Sequence, residues 1–263
     1  MDWREAAVVV TGASRGIGRS VAVKAAARGA RVGLIARSSS DLAATSAAAG
    51  GDCATAVADV SDRRQVEEAI ARLVSTLGPV DILVNNAGIG AYGTLAETDV
   101  ETIERIHQVN FLGSVYAIKA VLPSMIERRH GHIVNVASIA GRIGAPFEAA
   151  YSASKFAMVG LTEALSVEVA PFGIGVSMVN PGPVDTSFFD ARGHPYARSR
   201  PRKVSAEAVA DAVMVAVEKE RLEQVVPRML GQAVVAKTLL PPLFRWGTRR
   251  SFAEELSGMG GPR

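Results

Sequence analysis

The chain has 263 residues, of which 48% are hydrophobic, so its composition excludes a disordered chain and allows a sizeable core. The formal net charge is only +3, and Lys and Arg are spread along the sequence, so nucleic-acid binding is not expected. Cys53 is the single cysteine, which excludes an internal disulfide and favours a reducing compartment. The first residues lack the apolar stretch of a signal peptide, and we therefore expect a cytoplasmic protein.

Short runs rich in Val, Ile and Leu alternate with longer Ala-rich segments of helical periodicity. The runs predict strands at 6–10, 31–36, 53–58, 80–84, 132–136, 175–179 and 224–227. The longer segments predict helices at 16–27, 39–49, 62–77, 100–128, 151–170 and 206–219, with Ser61 and Ser205 as N-caps. Strands that alternate with helices predict a parallel sheet covered on both faces, with ligands at the carboxyl ends of its strands.

A glycine-rich loop follows the first predicted strand and leads into the first helix. Glycines here would let the chain turn tightly, let the backbone approach a pyrophosphate and pack the helix on the sheet. The helix N-terminus would then offer free N–H groups to the phosphates, although an ordinary turn would need similar residues. The predicted phosphate-binding residues are Gly12, Ser14, Arg15, Gly16, Ile17 and Gly18.

The end of the second strand predicts which cofactor is bound. A site for NAD would place Asp or Glu there to bind the ribose 2′-hydroxyl, but this strand leads into Arg37 and Ser38. Arg37 and the facing Arg15 would attract a 2′-phosphate, and the Ser38 hydroxyl would donate to it. We therefore predict NADP(H), with a solvated surface arginine as the alternative for Arg37.

Two further strand ends carry residues suited to the adenosine half of a dinucleotide. Asp59 with Val60 follows the third strand, where the carboxylate would accept from the adenine amino group or, alternatively, cap the next helix. Small and amide residues follow the fourth strand, and they would let the backbone pass close to the ribose, or form a polar turn. They are Asn86, Ala87 and Gly88.

A hydroxyl, a phenol and an amine are predicted to converge at the same edge of the sheet. Ser138 ends the fifth strand, and Tyr151 and Lys155 are four residues apart, hence on one face of a helix. Hydride reduction of a carbonyl creates an oxyanion that needs a proton, which Tyr151 would supply if the nearby ammonium lowered its pKa. Ser138 would position the substrate oxygen. Lys155 would also hydrogen-bond the nicotinamide ribose, so Tyr151 and Lys155 are predicted to meet the cofactor as well as the substrate. Asn110 would disturb the long helix and hold a water near Lys155, or simply be a satisfied polar residue.

Taken together, these motifs resemble the short-chain dehydrogenase/reductase family over about residues 5 to 227. The resemblance implies a Rossmann-like, doubly wound parallel sheet of seven strands in a single α/β domain. It implies catalysis by Ser138, Tyr151, Lys155 and Asn110. It also implies that Val184 and Thr186, after Pro181 and Gly182, meet the nicotinamide carboxamide, and that the protein is a homodimer or homotetramer.

The substrate is less constrained. The variable substrate loop of the family corresponds to 187–203, where two adjacent Phe residues favour an apolar lipid-, steroid- or acyl-like ketone or aldehyde, or the matching alcohol. A 3-oxoacyl-carrier-protein reductase is an alternative, as is a dinucleotide-sensing binding or scaffold protein. No histidine spacing predicts a metal site.

Residues 1–227 would form the catalytic domain and 228–263 a C-terminal extension. The extension mixes apolar residues with isolated bases, so peripheral contact with a membrane surface is one interpretation. The alternatives are packing on the core, covering the substrate cleft or building a subunit interface. Adjacent prolines at 241 and 242 exclude one continuous helix.

Overall fold

A computed structural model describes residues 1–196 and 201–257 of the chain. Seven parallel strands form one sheet in the order β3-β2-β1-β4-β5-β6-β7. The predicted doubly wound Rossmann-like sheet is therefore confirmed. The strands are β1 (Ala7–Thr11), β2 (Arg31–Ala36), β3 (Ala54–Val57), β4 (Ile82–Asn85), β5 (Gly131–Val136), β6 (Ile174–Pro181) and β7 (Glu223–Val226).

Helices cover both faces of the sheet, and each of the predicted helical segments is present. The structure adds a short helix in the substrate loop and three helices near the C-terminus. The helices are α1 (Gly16–Ala27), α2 (Ser39–Ala48), α3 (Arg63–Leu77), α4 (Val100–His107), α5 (Gly113–Arg128), α6 (Ala149–Val169), α7 (Phe188–Ala191), α8 (Ala206–Glu218), α9 (Leu230–Leu239), α10 (Pro241–Ser251) and α11 (Ala253–Ser257).

The central strand β1 is almost entirely apolar because both faces of the sheet are buried there. In β1, Val8 and Val10 point into a core layer with α1 and α8, whereas Val9 points into the opposite layer with α3 and α5. All three side chains are inaccessible to solvent. A period of two is therefore absent from the sequence of this strand, as expected where a sheet is covered on both sides.

The order of the strands places a ligand cleft at one edge of the sheet. The chain moves outward from β1 to β2 and β3, then returns to pair β4 with the other side of β1. The connections that follow β1 and β4 therefore diverge to opposite faces and leave a crevice beyond the carboxyl ends of these strands. The glycine-rich loop lies there.

The long helix predicted over 100–128 is interrupted. A π-helical turn, Gln108–Leu112, separates α4 from α5, and the buried Asn110 lies inside it. The run Val100–Arg128 is long and apolar enough to cross a membrane, but its inward side chains, including Val121 and Met125, belong to the core under the sheet. We therefore assign it to the core.

Two helix starts test the predicted N-caps. Ser205 caps α8, because its hydroxyl accepts the N–H of Ala208 at 3.1 Å. The prediction that Ser61 caps α3 is wrong: Asp62 does so, accepting from the N–H groups of Arg64 and Gln65. The chain is extended through Asp62, so its carboxylate faces the first turn, as an N-cap requires.

The C-terminal extension is helical and is broken where the prolines predict. The first helix of the extension, α9, ends at Leu239, and α10 begins at Pro241. The first residue of α9, Leu230, packs against Gly182, where an added Cβ would lie 2.5 Å from the Leu230 Cδ1 atom. The extension is therefore joined to the loop after β6, although the domain division at 227 stays a prediction.

Candidate active site

Polar side chains fix the glycine-rich loop against the loop after β4. The Thr11 hydroxyl accepts the N–H groups of Asn86 and Ala87, at 3.0 and 3.2 Å. In return, the Asn86 amide donates to the carbonyl oxygens of Thr11 and Gly12, at 3.0 and 3.1 Å. The two loops that border the crevice are thus held at a fixed separation.

The glycines of this loop have different roles. Gly12 has a φ of +63° and an added Cβ would lie 2.7 Å from the Ala87 Cα, so both the turn and the packing require glycine. Gly16, with a φ of +54°, lines the crevice. Gly18 is buried, and an added Cβ would lie 2.3 Å from the Gly12 carbonyl oxygen. It serves the packing of α1 on the sheet, rather than an approach of the backbone to a ligand.

The crevice is a cleft of about 670 Å³ that runs from the end of β2 to α6. Its middle section lies beside the N-terminus of α1, where no side chain caps the free N–H groups. Such a helix end attracts phosphate. Of the residues predicted to bind a cofactor, all except Gly18 line this cleft: Gly12, Ser14, Arg15, Gly16, Ile17, Arg37, Ser38, Asp59, Val60, Asn86, Ala87, Gly88, Tyr151, Lys155, Pro181, Gly182, Val184 and Thr186.

One end of the cleft is open and cationic. Arg15 and Arg37 line it, and both side chains are exposed. Neither forms an ion pair or a side-chain hydrogen bond with any residue that the structure describes. Ser38 caps α2 by accepting the N–H of Asp41 at 3.2 Å, so its hydroxyl lies at the edge of the same end.

Asp59 at this end is held by a partner that sequence reasoning missed. Its two carboxylate oxygens accept from the Ser61 hydroxyl at 2.7 Å and from the Arg105 guanidinium at 2.6 Å. Burial alone would raise the pKa of Asp59, but the hydrogen bonds from Ser61 and Arg105 outweigh it and lower the pKa. Asp59 does not cap α3, and its role toward adenine stays a prediction. Arg105 lies 46 residues away on α4, and no local signal indicates the contact.

Ser138, Tyr151 and Lys155 meet at the opposite, buried end. The Ser138 hydroxyl lies close enough to the Tyr151 phenol to lower its pKa, and it accepts the N–H of Ala140 at 3.1 Å. The Lys155 amine is 4% exposed, donates to the Val136 carbonyl oxygen at 2.9 Å and lies 5.8 Å from the centre of the Tyr151 ring. The spacing of four residues on α6 therefore places the phenol and the amine side by side.

Burial dominates the acid–base properties of this group. Burial raises the pKa of Tyr151 to about 12. The Ser138 hydroxyl acts in the opposite direction and lowers the pKa, but its effect is the smaller of the two. Burial also lowers the pKa of Lys155 to about 8. The predicted lowering of the Tyr151 pKa by the ammonium is therefore wrong for this state of the protein, since desolvation of the phenolate is the larger effect. The phenol is protonated at neutral pH and can donate a proton.

Asn110 in the π-helical turn links the two halves of the site. Its amide oxygen accepts the N–H of Ile89 at 2.8 Å, and its amide nitrogen donates to the Ile89 carbonyl and to the Ser154 hydroxyl, both at 2.9 Å. An added Cβ on Gly88 would lie 3.4 Å from the Asn110 oxygen and 3.6 Å from the Lys155 amine. Asn110 does not line the cleft but lies behind Gly88, beside Lys155.

Aromatic rings enclose the space next to Tyr151. The Phe188 ring lies 5.5 Å from the Tyr151 ring and occupies the position that a side chain on Gly90 would need. Phe188 also meets Phe189 edge to face. The substrate loop thus presents apolar rings to the buried end of the cleft, as the sequence predicts. Residues 197–200 of that loop lie outside the described part of the chain.

An ion pair fastens the substrate loop over the cleft. Arg192 forms an ion pair with Glu148, which lines the cleft. Its guanidinium also lies over the rings of Tyr92 and Phe189, at 4.8 and 4.6 Å from their centres. The Arg192 side chain is only 5% exposed. The sequence does not indicate that Arg192 pairs with Glu148, because the two residues are far apart along the chain and many other charged residues are available as partners.

The cleft fits a nicotinamide dinucleotide. At its centre, the N-terminus of α1 and the glycine-rich loop leave room for a diphosphate. Arg15 and Arg37 lie at the open end, and Tyr151 and Lys155 lie at the buried end. The Asn86 and Thr11 contacts leave the loops rigid around it. This fold and this site define a dinucleotide-dependent oxidoreductase.

Comparisons with known proteins identify the family. Residues 6–196 match the model of the short chain dehydrogenase family. The chain is 37% identical over 259 residues to the mouse dehydrogenase/reductase SDR family member 7B, covering 92% of this chain and 79% of that protein. It is 36% identical over 227 residues to a 3-ketodihydrosphingosine reductase of Bacteroides thetaiotaomicron, covering 86% and 81%. The chain belongs to the short-chain dehydrogenase/reductase family.

A solved structure supports the same assignment. A short-chain dehydrogenase/reductase from Burkholderia phymatum in complex with NAD superposes with a TM-score of 0.85, at 30% identity. The superposition covers 92% of this chain and 96% of that one. The protein is therefore an oxidoreductase of this family.

Proposed function

We propose that this protein is an NADP(H)-dependent reductase of an apolar ketone or aldehyde, or the dehydrogenase of the matching alcohol. The observation that carries the proposal is the contact of a protonated Tyr151 with Ser138 and Lys155 beneath an aromatic wall, at the buried end of the dinucleotide cleft. An acid next to an apolar space suits the protonation of a carbonyl oxygen on a water-poor substrate.

The residues divide the proton chemistry between them. The nicotinamide, when bound, exchanges a hydride with the carbonyl carbon. Tyr151 donates its phenolic proton to the oxygen that gains negative charge, and Ser138 holds that oxygen by a hydrogen bond. Lys155, cationic below pH about 8, stabilises the phenolate that Tyr151 becomes. Asn110 is a positioning residue, because it fixes the backbone at Ile89 and the Ser154 hydroxyl beside Lys155.

The preference for NADP(H) rests on the open end of the cleft. Arg15 and Arg37 have no partner among the described residues, so both guanidinium groups are available to a 2′-phosphate. The residues after β2 include no carboxylate at the position where a 2′-hydroxyl would need one. Because the similar Burkholderia phymatum protein holds NAD, this preference must be measured on the chain itself.

The substrate class rests on the rings around Tyr151 and on the relatives. Phe188 and Phe189 give the buried end an apolar wall. One relative is named a 3-ketodihydrosphingosine reductase and another, from Nostoc, a ketoacyl reductase, and both names specify a ketone. A lipid- or acyl-like ketone fits both observations. A reductase of 3-oxoacyl groups on a carrier protein is the second candidate, which the ketoacyl reductase name favours.

The test is a spectrophotometric screen of NADPH oxidation over ketones and aldehydes graded by chain length and ring content. We expect turnover to increase with the apolar size of the substrate. Activity on short polar ketones alone would contradict the apolar substrate class. Dinucleotide binding without any turnover would favour the sensor or scaffold function, and product formation without net NADPH consumption would indicate an epimerase or dehydratase.

Assembly and location are part of the same proposal. The family resemblance favours a homodimer or homotetramer built through the long helices α5 and α6. The cytoplasmic location is inferred from the first residues of the sequence and from its single cysteine. Light scattering on a size-exclusion column measures the mass directly. A monomer at micromolar concentration would contradict it.

A further inference from the structure

The C-terminal segment 229–257 carries an unusual share of the exposed apolar side chains. The structure describes fourteen large hydrophobic residues as exposed, and seven of them lie between 229 and 257, in about a ninth of the chain. Isolated exposed apolar residues need no explanation, but a concentration of them marks a contact surface. The seven are Met229, Val235, Leu239, Leu240, Leu243, Trp246 and Leu256.

These apolar side chains lie among cations that have no acidic partner in the part of the chain that the structure describes. On α10, Leu243 and Trp246 follow each other at helical spacing, and the Arg250 guanidinium lies 5.5 Å from the centre of the Trp246 ring. Arg245 and Arg249 are four residues apart on the next face. Neither forms an ion pair or a side-chain hydrogen bond within the described residues.

A second cavity, of about 510 Å³, lies between these helices and the loop that follows β5. Arg245, Arg249 and Lys237 line it together with apolar side chains, and Gly144 lines its far side. The Lys237 amine donates to the Arg142 carbonyl oxygen at 2.7 Å, which ties α9 to that loop. Cations around an apolar floor match the acidic head group and the upper acyl chain of an amphiphile.

The same loop joins this surface to the substrate cleft. Phe252, just after α10, stacks on Phe147 with ring centres 6.1 Å apart, and Phe147 stacks on Tyr92 at 5.5 Å. Glu148, the next residue, lines the cleft. The C-terminal surface therefore adjoins the outer side of the loop whose inner side borders the reaction site.

We propose that α9 and α10 form a docking surface for an anionic phospholipid bilayer. Arg245, Arg249 and Arg250 bind the phosphate head groups, and Leu243 and Trp246 enter the interface between head groups and acyl chains. Trp is well suited to that depth, since its ring is apolar and its N–H is polar. The proposal does not depend on which carbonyl compound the enzyme reduces.

Charge favours a bilayer over a second copy of the chain as the occupant of this surface. A two-fold contact between copies pairs each surface patch with itself. The cationic surfaces of the two copies would then be brought together, and like charges placed together in an interface are unfavourable. An anionic membrane presents the opposite charge to all three arginines of α10 at once.

Vesicle co-sedimentation of the full-length chain tests the proposal, with phosphatidylcholine vesicles prepared with and without phosphatidylglycerol. We expect binding to the anionic vesicles that decreases with salt, and little binding to the neutral ones. Replacing two arginines, as Arg245→Gln with Arg249→Gln, should weaken anionic binding roughly 30-fold. The matched control is Arg72→Gln with Arg221→Gln, two exposed arginines elsewhere, which should bind as the parent does.

The apolar part of the surface has its own test. Leu243→Ser with Trp246→Ser should weaken vesicle binding by roughly tenfold or more. Val57→Ser is the control, since Val57 and Leu243 are both 59% exposed. Circular dichroism and thermal unfolding check that each variant is folded. Equal binding to neutral and anionic vesicles, or none to either, would overturn the proposal. So would a change of oligomeric mass in the Leu243 and Trp246 variant, since the surface would then be an interface between copies.

Discussion

The two ends of the cofactor cleft are built in different ways. At the buried end, Lys155 and Asn110 are almost inaccessible to solvent, and their polar atoms are held by backbone and side-chain hydrogen bonds. At the open end, Arg15 and Arg37 are exposed and have no fixed partner in the described structure. The comparison teaches that the groups at the buried end are preorganised, whereas the two arginines at the open end keep their guanidinium groups available to a ligand. The activity that depends on the buried end should therefore respond to pH and to the deletion of single atoms. Cofactor binding at the open end should respond to salt.

The largest effect should come from the phenol. Tyr151→Phe removes one oxygen and with it the proton donor, so we expect the rate of carbonyl reduction to fall by about 10³-fold or more, while NADPH still binds. Initial rates and fluorescence titration measure the two properties separately. Tyr116→Phe is the control, because Tyr116 packs on the core layer below α3 and should tolerate the change. A Tyr151→Phe enzyme with parental turnover would contradict the proposed proton transfer.

The next effect should come from Asn110. Asn110→Leu leaves the backbone N–H of Ile89 without its acceptor and removes the amide that donates to the Ser154 hydroxyl, so we expect kcat to fall about 100-fold with a smaller change in KM. Gln108→Leu lies in the same π-helical turn, has no side-chain hydrogen bond of its own and should be nearly neutral. Equal losses in both variants would mean that the turn, and not the amide, is what matters.

A pH dependence should follow from the buried amine. The pKa of Lys155 is lowered to about 8, so the amine is cationic below that pH and loses its charge above it. Tyr151, with a pKa of about 12, stays protonated throughout. We therefore expect kcat/KM for reduction to be level below pH 8 and to fall above it, by up to about tenfold per pH unit. A profile that stays level to pH 10 would show that the ammonium is not needed.

The smallest effect should be at the open end. Arg37→Gln should weaken NADPH binding roughly tenfold, because a charge-assisted hydrogen bond at an exposed site contributes only about 1–2 kcal/mol, and should leave NADH binding unchanged. The effect should shrink as salt is added. Arg19→Gln, on the exposed side of α1, is the control. Equal affinities of the parent for NADPH and NADH would refute the cofactor preference.

Local patterns were sufficient to predict the sheet and the meeting of Ser138, Tyr151 and Lys155. Most strands are short runs rich in Val, Ile and Leu, and the glycines, Ser138 and the Tyr151–Lys155 pair stand close to strand and helix ends. Sequence could not predict contacts between distant residues, such as Arg105 with Asp59 or Arg192 with Glu148. Those depend on where helices lie relative to loops.

Two smaller errors have physical causes. Ser61 and Asp62 are adjacent residues that both favour N-caps, and only the extended backbone at Asp62 decided between them. The sequence predicts a lowered pKa for Tyr151, whereas burial raises it. The spacing of residues indicates the neighbouring amine, but it does not indicate how deeply the phenol is buried. Desolvation depends on the packing of the substrate loop above the phenol.

The π-helical turn at Gln108–Leu112 sets the rotational phase between two parts of one helix. Removing one residue from it would restore a regular α-helix and turn everything before it by roughly 100° about the axis. Arg105 would then swing away from Asp59 while Asn110 lost its place behind Gly88. The length of this short stretch therefore fixes the orientation of the residues at one end of the cleft relative to those at the other. Insertions or deletions there should reduce activity far more than substitutions do.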